Sequence, residues 1–465
     1  MTVNDQRSAR ELGSRRDVNA GVPGAAVASA HLLAAGVLGW TYLGFDNAPS
    51  FVVLSGMVLA ICGGALLVQA KNGKMDLLNP VVIFSLVWSV MFGARPLMMH
   101  SAGDYTLRGR YSSYEYMDDA LVLAVLSSVA FLAGYYILSV RLRCRKNTSL
   151  VRQSVDSGSN RFHPEIRRTA ALLLLCLGGG ASVLAYQPVL GGSSAYLYYL
   201  PLVLVPVAVG CFSEWLRTRS ALTISVAVIA GCIFLARYTL TGQRAFVLFL
   251  LVGLVIVYYQ HVGKSPKLRV AVTALAVVVG VIFYGFEVYR AQVRGGEVEK
   301  SASVSEALER VFMGGTTEML PAFTVLLDTE GELWSQSRGR TAFTTAVHWI
   351  PSGLWPEKPR TYDEEMYSTL FPEHYAHDKA NTQFSIMGDW YTDSGRGGVV
   401  VGMFLMGTAA RWVHRRSEYR AGRWGIIYAL FPVLFVTTLR GNIALNFGLA
   451  LFLIGPIFWL IRGRR

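Results

Sequence analysis

The apolar residues of this chain arrive in blocks of about 20, with few or no charges inside each block, as in Phe51–Ala70 and Val270–Gly285. A helix rising about 1.5 Å per residue crosses roughly 30 Å of hydrocarbon in such a run. Lipid offers no partner for an open backbone, so serial runs of this kind fold as helices. Only 16% of the 465 residues are charged and 53% are hydrophobic, against about 25% charged in soluble domains. Soluble, disordered, fibrous and disulfide-stapled classes are excluded. The fold class is an all-α polytopic membrane protein, and twelve spans are expected: 24–44, 51–70, 78–94, 120–140, 169–187, 198–214, 221–238, 245–261, 270–288, 397–413, 424–439 and 443–461.

Orientation follows from the cations. With the N-terminus in the cytoplasm, 27 of the 43 Lys and Arg fall on that side, against six in the short outer turns. This is the positive-inside bias, and it places both termini in the cytoplasm. It also accounts for the net charge of +13 without a nucleic-acid partner. The chain then divides into a polar tail (1–23), nine helices (24–288) with a basic Ser/Asn-rich cytoplasmic linker (141–168), a large outer loop (289–396), and three last helices with a short tail (397–465). The first apolar run lacks a small-residue cleavage site, so no removable signal is read. Four of the five cysteines lie within apolar runs, and neither a disulfide framework nor a Cys/His metal cluster is indicated.

The outer loop concentrates 16 of the 30 carboxylates and four tryptophans, Trp334, Trp349, Trp355 and Trp390. A loop this long with such aromatic content is expected to be folded and functional. Helical spacing is visible in Val304–Phe312 and Met319–Leu327, and Thr341–Trp355 reads as interfacial. Span interiors, by contrast, are nearly uncharged apart from His31. Transporters need ionisable groups near the midplane, so a site at the outer boundary is the better expectation.

Cations gather where helices emerge on that face: Arg237 and Arg244 around Thr241-Gly242-Gln243, Arg290 and Arg294 at i, i+4 spacing, Lys358 and Arg360 between prolines, and Arg440 in Arg440-Gly441-Asn442. Guanidinium forks bind phosphate oxygens bidentately, which suits a lipid diphosphate headgroup. For each one alone, an anchoring role with a snorkelling stem is the alternative. Acid–base candidates are His348, His374, His377, the run Asp363-Glu364-Glu365, which reads as a solvated face, and Asp389. His374 and His377 lack a third ligand at metal-site spacing. Gly388-Asp389-Trp390-Tyr391 joins a carboxylate to two aromatic rings, a pairing suited to sugars. An ordinary aromatic belt at a helix start is the alternative for Trp390.

The chain resembles the bacterial O-antigen polymerases (Wzy-like). The resemblance rests on the multi-span layout with one large late loop, on Thr241-Gly242-Gln243-Arg244, on Ile350-Pro351, Trp355-Pro356 and Lys358-Pro359, and on Ser385 to Gly388-Asp389-Trp390-Tyr391 followed by Gly395, Gly397 and Gly398. The last stretch is similar to the family's G-E-x-Y and G-x-x-G pattern, with Asp389 where Glu is commoner. The resemblance implies a GT-C-like, metal- and cofactor-independent glycosyltransferase of the bacterial inner membrane. Its implied partners are undecaprenyl-diphosphate-linked oligosaccharide, membrane lipid, a flippase and a chain-length regulator. It implies polymerisation of lipid-linked repeat units into O-antigen, capsule or exopolysaccharide, with an O-antigen ligase or a glycan exporter as the alternatives. On that reading Arg237, Arg244, Arg290, Arg294, Lys358, Arg360 and Arg440 hold diphosphate, Asp389 or His348 takes the acceptor proton, and Trp390 and Tyr391 contact sugar.

Overall fold

A computed structural model describes residues 50–71, 76, 78–107, 111–112, 114–144, 166–184, 199–240, 244–262, 318–336, 338–348, 350, 355, 357–373, 375, 383–418 and 423–461. Its principal helices are α1 (Ser50–Lys71), α2 (Pro80–Ala102), α3 (Met117–Cys144), α4 (Arg168–Leu184), α5 (Leu200–Thr218), α6 (Ala221–Leu240), α7 (Arg244–Val262), α8 (Met319–Asp328), α9 (Arg340–Val347), α10 (Tyr362–Leu370), α11 (Ser385–Glu418), α12 (Arg423–Arg440) and α13 (Ile443–Leu460). A two-residue hairpin, β1 (Thr106–Leu107) with β2 (Tyr111–Ser112), tops α2 and α3. Among the described residues seven helices are long and apolar enough to cross a membrane: α1, α2, α3, α5, α6, α12 and α13. The expected spans at 169–187, 245–261 and 397–413 coincide with α4, α7 and the second arm of α11. Those at 24–44 and 270–288 lie outside the described residues, as does Val304–Phe312.

Two apolar cores divide the bundle. One joins α1, α2, α3, α8, α10 and α11; the other joins α4, α5, α6 and α7 to α13, and α12 contributes to both. In the first core Phe84 stacks on Phe131 at 4.0 Å between centroids, and the buried Trp88 indole donates to the Ala124 carbonyl at 3.2 Å. The tightest seam is α3 against α11. A Cβ at Gly134 would lie 2.1 Å from the Phe404 carbonyl oxygen, and one at Gly407 would lie 2.1 Å from that of Phe131. Small residues let two membrane helices approach backbone to backbone where no hydrophobic force separates protein from lipid. The two run parallel, since Arg396 meets Asp119 at 3.0 Å at one end and Arg411 covers the Tyr135 ring at 5.3 Å further along both. The segments preceding 117 and 396 therefore lie at the same end of this helix pair.

Two expectations need correction. Span 78–94 was expected to end before Arg95, leaving that side chain in an outer turn. Instead α2 continues through a π-helical turn, Ser89–Ala94, to Ala102, and Arg95 is buried within it. Pro96 restarts the α-helix as its first-turn residue, where a missing N–H is harmless. The span interiors are also less bare of charge than expected, because Glu214 is buried in α5.

Helix α11 is two helices. Ser394 and Gly395 leave helical geometry, with Gly395 at φ +63°, and the chain folds back on itself there. In consequence the Trp390 ring lies over Gly402, where a Cβ would come within 2.2 Å of it. In a straight helix those two residues stand about 18 Å apart. The first arm, 385–393, thus returns over the second, 396–418, and carries Asp389 to the end of α12.

Candidate active site

The site is organised by the turn between α12 and α13. Gly441, at φ +112°, abuts the backbone of Ser385 so closely that a Cβ would sit 2.8 Å from it. Asn442 follows at φ +61°, and its side chain caps α13 by accepting from the Leu445 N–H at 2.9 Å. One turn into α11, the Asp389 carboxylate accepts the Ile443 N–H at 2.9 Å and also bonds the Asn442 N–H. A carboxylate here meets the positive end of the α13 dipole. Burial nevertheless dominates: at 3% exposure the carboxyl is pushed up to about 7 by desolvation, the two N–H bonds pulling it down and Asp393 adding to the rise.

Asp363 faces Asp389 from α10. It is 2% exposed, and its carboxyl is raised well above the usual range by burial and then by the Asp389 charge. Two carboxyls that repel in a dry site hold on to a proton at pH values where free ones have lost it. This overturns the reading of Asp363-Glu364-Glu365 as a solvated face. Thr361 starts the helix, its Oγ1 accepting from the Glu364 N–H, and Tyr362, Asp363, Met366, Tyr367 and Leu370 then form one buried stripe. The spacing was a usable signal, because Asp363 stands three and four residues before Met366 and Tyr367 on the apolar face.

Helix α9 is fixed at both ends beside this pair. Asp393 Oδ1 accepts the Thr341 N–H at 2.8 Å. Lys358 Nζ donates to the carbonyls of His348 and Ile350 at 2.9 and 3.0 Å, just past the last turn. Cations are favoured at that end of a helix. His348 is half-buried, and burial followed by the Lys358 charge lowers its pKa against the upward pull of Glu364. Both of the larger effects favour the neutral imidazole over the charged one. Arg360 lies 5.8 Å over the Tyr375 ring, whose hydroxyl donates to Glu364 at 2.6 Å. Arg340 pairs with Glu365.

The fold thus gathers His348, Lys358 and Arg360 around Glu364, while Asp389 grips the turn that follows Arg440. Tyr391 packs edge-on to Phe323 and Trp334 and donates to Glu330 at 2.6 Å, and Trp390 covers Gly402 as described above. Arg237 stands in the last turn of α6. Arg244 opens α7, with its side chain outside the described residues; Arg290, Arg294, His31, His374 and His377 lie outside them entirely. Among the described residues no three His, Cys, Asp or Glu are grouped to hold a metal ion.

The family model for O-antigen polysaccharide polymerase Wzy matches residues 32–461. The chain belongs to this family. The Wzy match spans every helix described above and carries the general activity, polymerisation of O-antigen repeat units in a membrane by a multi-pass protein. No curated protein and no solved structure matches the chain. For a Wzy polymerase, the sequence reading missed, besides Glu214 and Asp393, two further buried charges, Arg95 and Asp363. A span boundary drawn at the first arginine hid one, and an acidic run read by composition hid the other.

Proposed function

We propose that this Wzy-family polymerase works at the outer face of the bacterial inner membrane. It transfers a growing glycan from undecaprenyl diphosphate to the non-reducing end of a newly flipped lipid-linked repeat unit. The C1–O bond to diphosphate breaks as an acceptor hydroxyl attacks C1, and charge builds on the leaving phosphate. Lys358, Arg360 and Arg440, with Arg237, Arg244, Arg290 and Arg294, hold that phosphate in place of a metal ion; a fixed donor of this kind contributes a few kcal/mol, roughly 3. His348 takes the hydroxyl proton, since a neutral imidazole is the form able to accept it. Asp389 serves by position, holding the Arg440 turn against α11.

The observation that carries the reading is the half-buried His348 at the end of α9, whose carbonyl accepts from Lys358 at 2.9 Å, on a segment whose cations also include Arg360. The experiment is deletion of the gene, complementation, and display of surface glycan on a gel. The deletion is expected to leave single repeat units attached and no ladder. Wild-type sequence restores the ladder, whereas His348→Ala does not, at normal protein level. An unchanged ladder in the deletion overturns polymerase activity for this chain. A surface without even single units, with long chains held on the lipid carrier, makes the protein a ligase. A ladder restored by His348→Ala removes the histidine from the chemistry.

A further inference from the structure

At the end of α12 opposite Arg440, the bundle carries an arrangement that chain growth does not use. Arg416, in the last turns of α11, has its guanidinium carbon 5.0 Å from the Trp412 ring centroid and 5.1 Å from that of Trp424, and the two indoles meet edge to face at 5.3 Å. Arg416 is exposed, and no carboxylate pairs with it among the described residues. On the adjoining helix start, Arg423 covers Phe458 at 5.6 Å and donates twice to the Ile461 carbonyl, at 3.1 and 3.0 Å. Trp412 and Phe458 are each nearly half exposed, at 47%.

The geometry points to a binding site for the phosphodiester headgroup of an anionic phospholipid, built on Arg416, with Arg415 next to it in sequence. Exposed aromatic rings from two helices, near the ends of their apolar stretches, mark a membrane–water interface. An arginine there normally loses rotamer freedom when it grasps an anion. Arg416 is already clamped by two ring faces, each an attractive surface for a cation. A guanidinium carries five N–H donors, and those not turned to the rings can meet two phosphate oxygens. The parallel course of α3 and α11 puts this end beside the basic run that closes α3, the side assigned to the cytoplasm by the cation bias.

The test uses the full-length protein purified in detergent, with native mass spectrometry after addition of phosphatidylglycerol or of phosphatidylcholine carrying the same acyl chains. Wild-type protein is expected to retain phosphatidylglycerol in clear preference. Loss of each arginine is expected to reduce that preference about fivefold, near 1 kcal/mol per cation at a lipid surface, so Arg415→Gln with Arg416→Gln reduces it about 25-fold. Arg416→Lys, which keeps the charge without the fork, falls between. Arg396→Gln, at the other end, leaves it intact. Equal retention of the two lipids by wild-type protein overturns the site without any variant. An unchanged preference in the double Gln variant reduces both arginines to anchors.

Discussion

The two ends of the bundle treat charge in opposite ways. At the α12–α13 turn, Asp389 and Asp363 are buried; backbone N–H groups meet the Asp389 carboxylate, and burial raises both carboxyls above the usual range. At the far end Arg416 stays exposed and is met by the faces of two indoles. A carboxylate is compact and strongly hydrated, so burying it requires either donors aimed at both oxygens or protonation. Guanidinium is broad, flat and more weakly hydrated, and rests on apolar rings without leaving water. The difference locates the organised polar interior at the end where the chain folds back, and an open binding face at the end where it does not.

The comparison breaks most completely if the helix pair joining the two ends is forced apart. Gly407→Val places new atoms on the Phe131 carbonyl, which is backbone and has nowhere to retreat. No monodisperse, cooperatively melting protein is expected on gel filtration. A variant melting like wild type would show that the α3–α11 seam is not what sets the two ends.

Next comes the contrast itself. Asp389→Ala strips the Ile443 N–H of its acceptor inside a dry turn, a loss of about 1–3 kcal/mol. Arg416→Ala removes an exposed side chain, with an effect within about 0.5 kcal/mol. Thermal melting in one detergent is expected to show Asp389→Ala several-fold more damaging, and equal losses would erase the distinction. The pH dependence is a gentler probe of the same turn. Because Asp389 is raised from the usual carboxyl value to about 7, the folded protein binds more protons than the unfolded chain between those limits. Stability is then fully present below about pH 4, declines as pH rises through about 7, and levels off above. Asp363→Asn removes the facing charge and should flatten that decline; a slope unchanged in the variant would uncouple the two carboxyls.

Much of this was legible in the sequence, for reasons that also mark where legibility stopped. Serial apolar runs locate helices because lipid admits little else, whereas Gly395 was read only as part of a motif and its turn, at φ +63°, shows in the fold alone. Gly398 and Gly402 only acquire meaning once the chain has folded back, since the Trp390 carbonyl that the first accommodates and the Trp390 ring that the second accommodates are distant along any straight helix. Arg440-Gly441-Asn442 reads as a turn, whereas the carboxylate that grips it lies 54 positions upstream of Ile443, in a long-range contact that no local pattern encodes. Asp363 shows the opposite failure: its stripe was local and readable, but charge composition outweighed spacing.

The smallest expected effect separates burial from location. Arg396 and Asp119 form an ion pair at 3.0 Å at the same end as Asp389, yet their side chains are 68% and 48% exposed. If location decided how charge is treated, breaking this pair would resemble breaking the Asp389 contact. If burial decides, water has already screened it, and exposed pairs contribute about 0–1 kcal/mol. Arg396→Ala is therefore expected to leave the melting temperature almost unchanged. What little remains should vanish at about 1 M salt, where screening acts over roughly 3 Å. A loss approaching that of Asp389→Ala would mean that the whole outer end, exposed charges included, acts as one electrostatic unit.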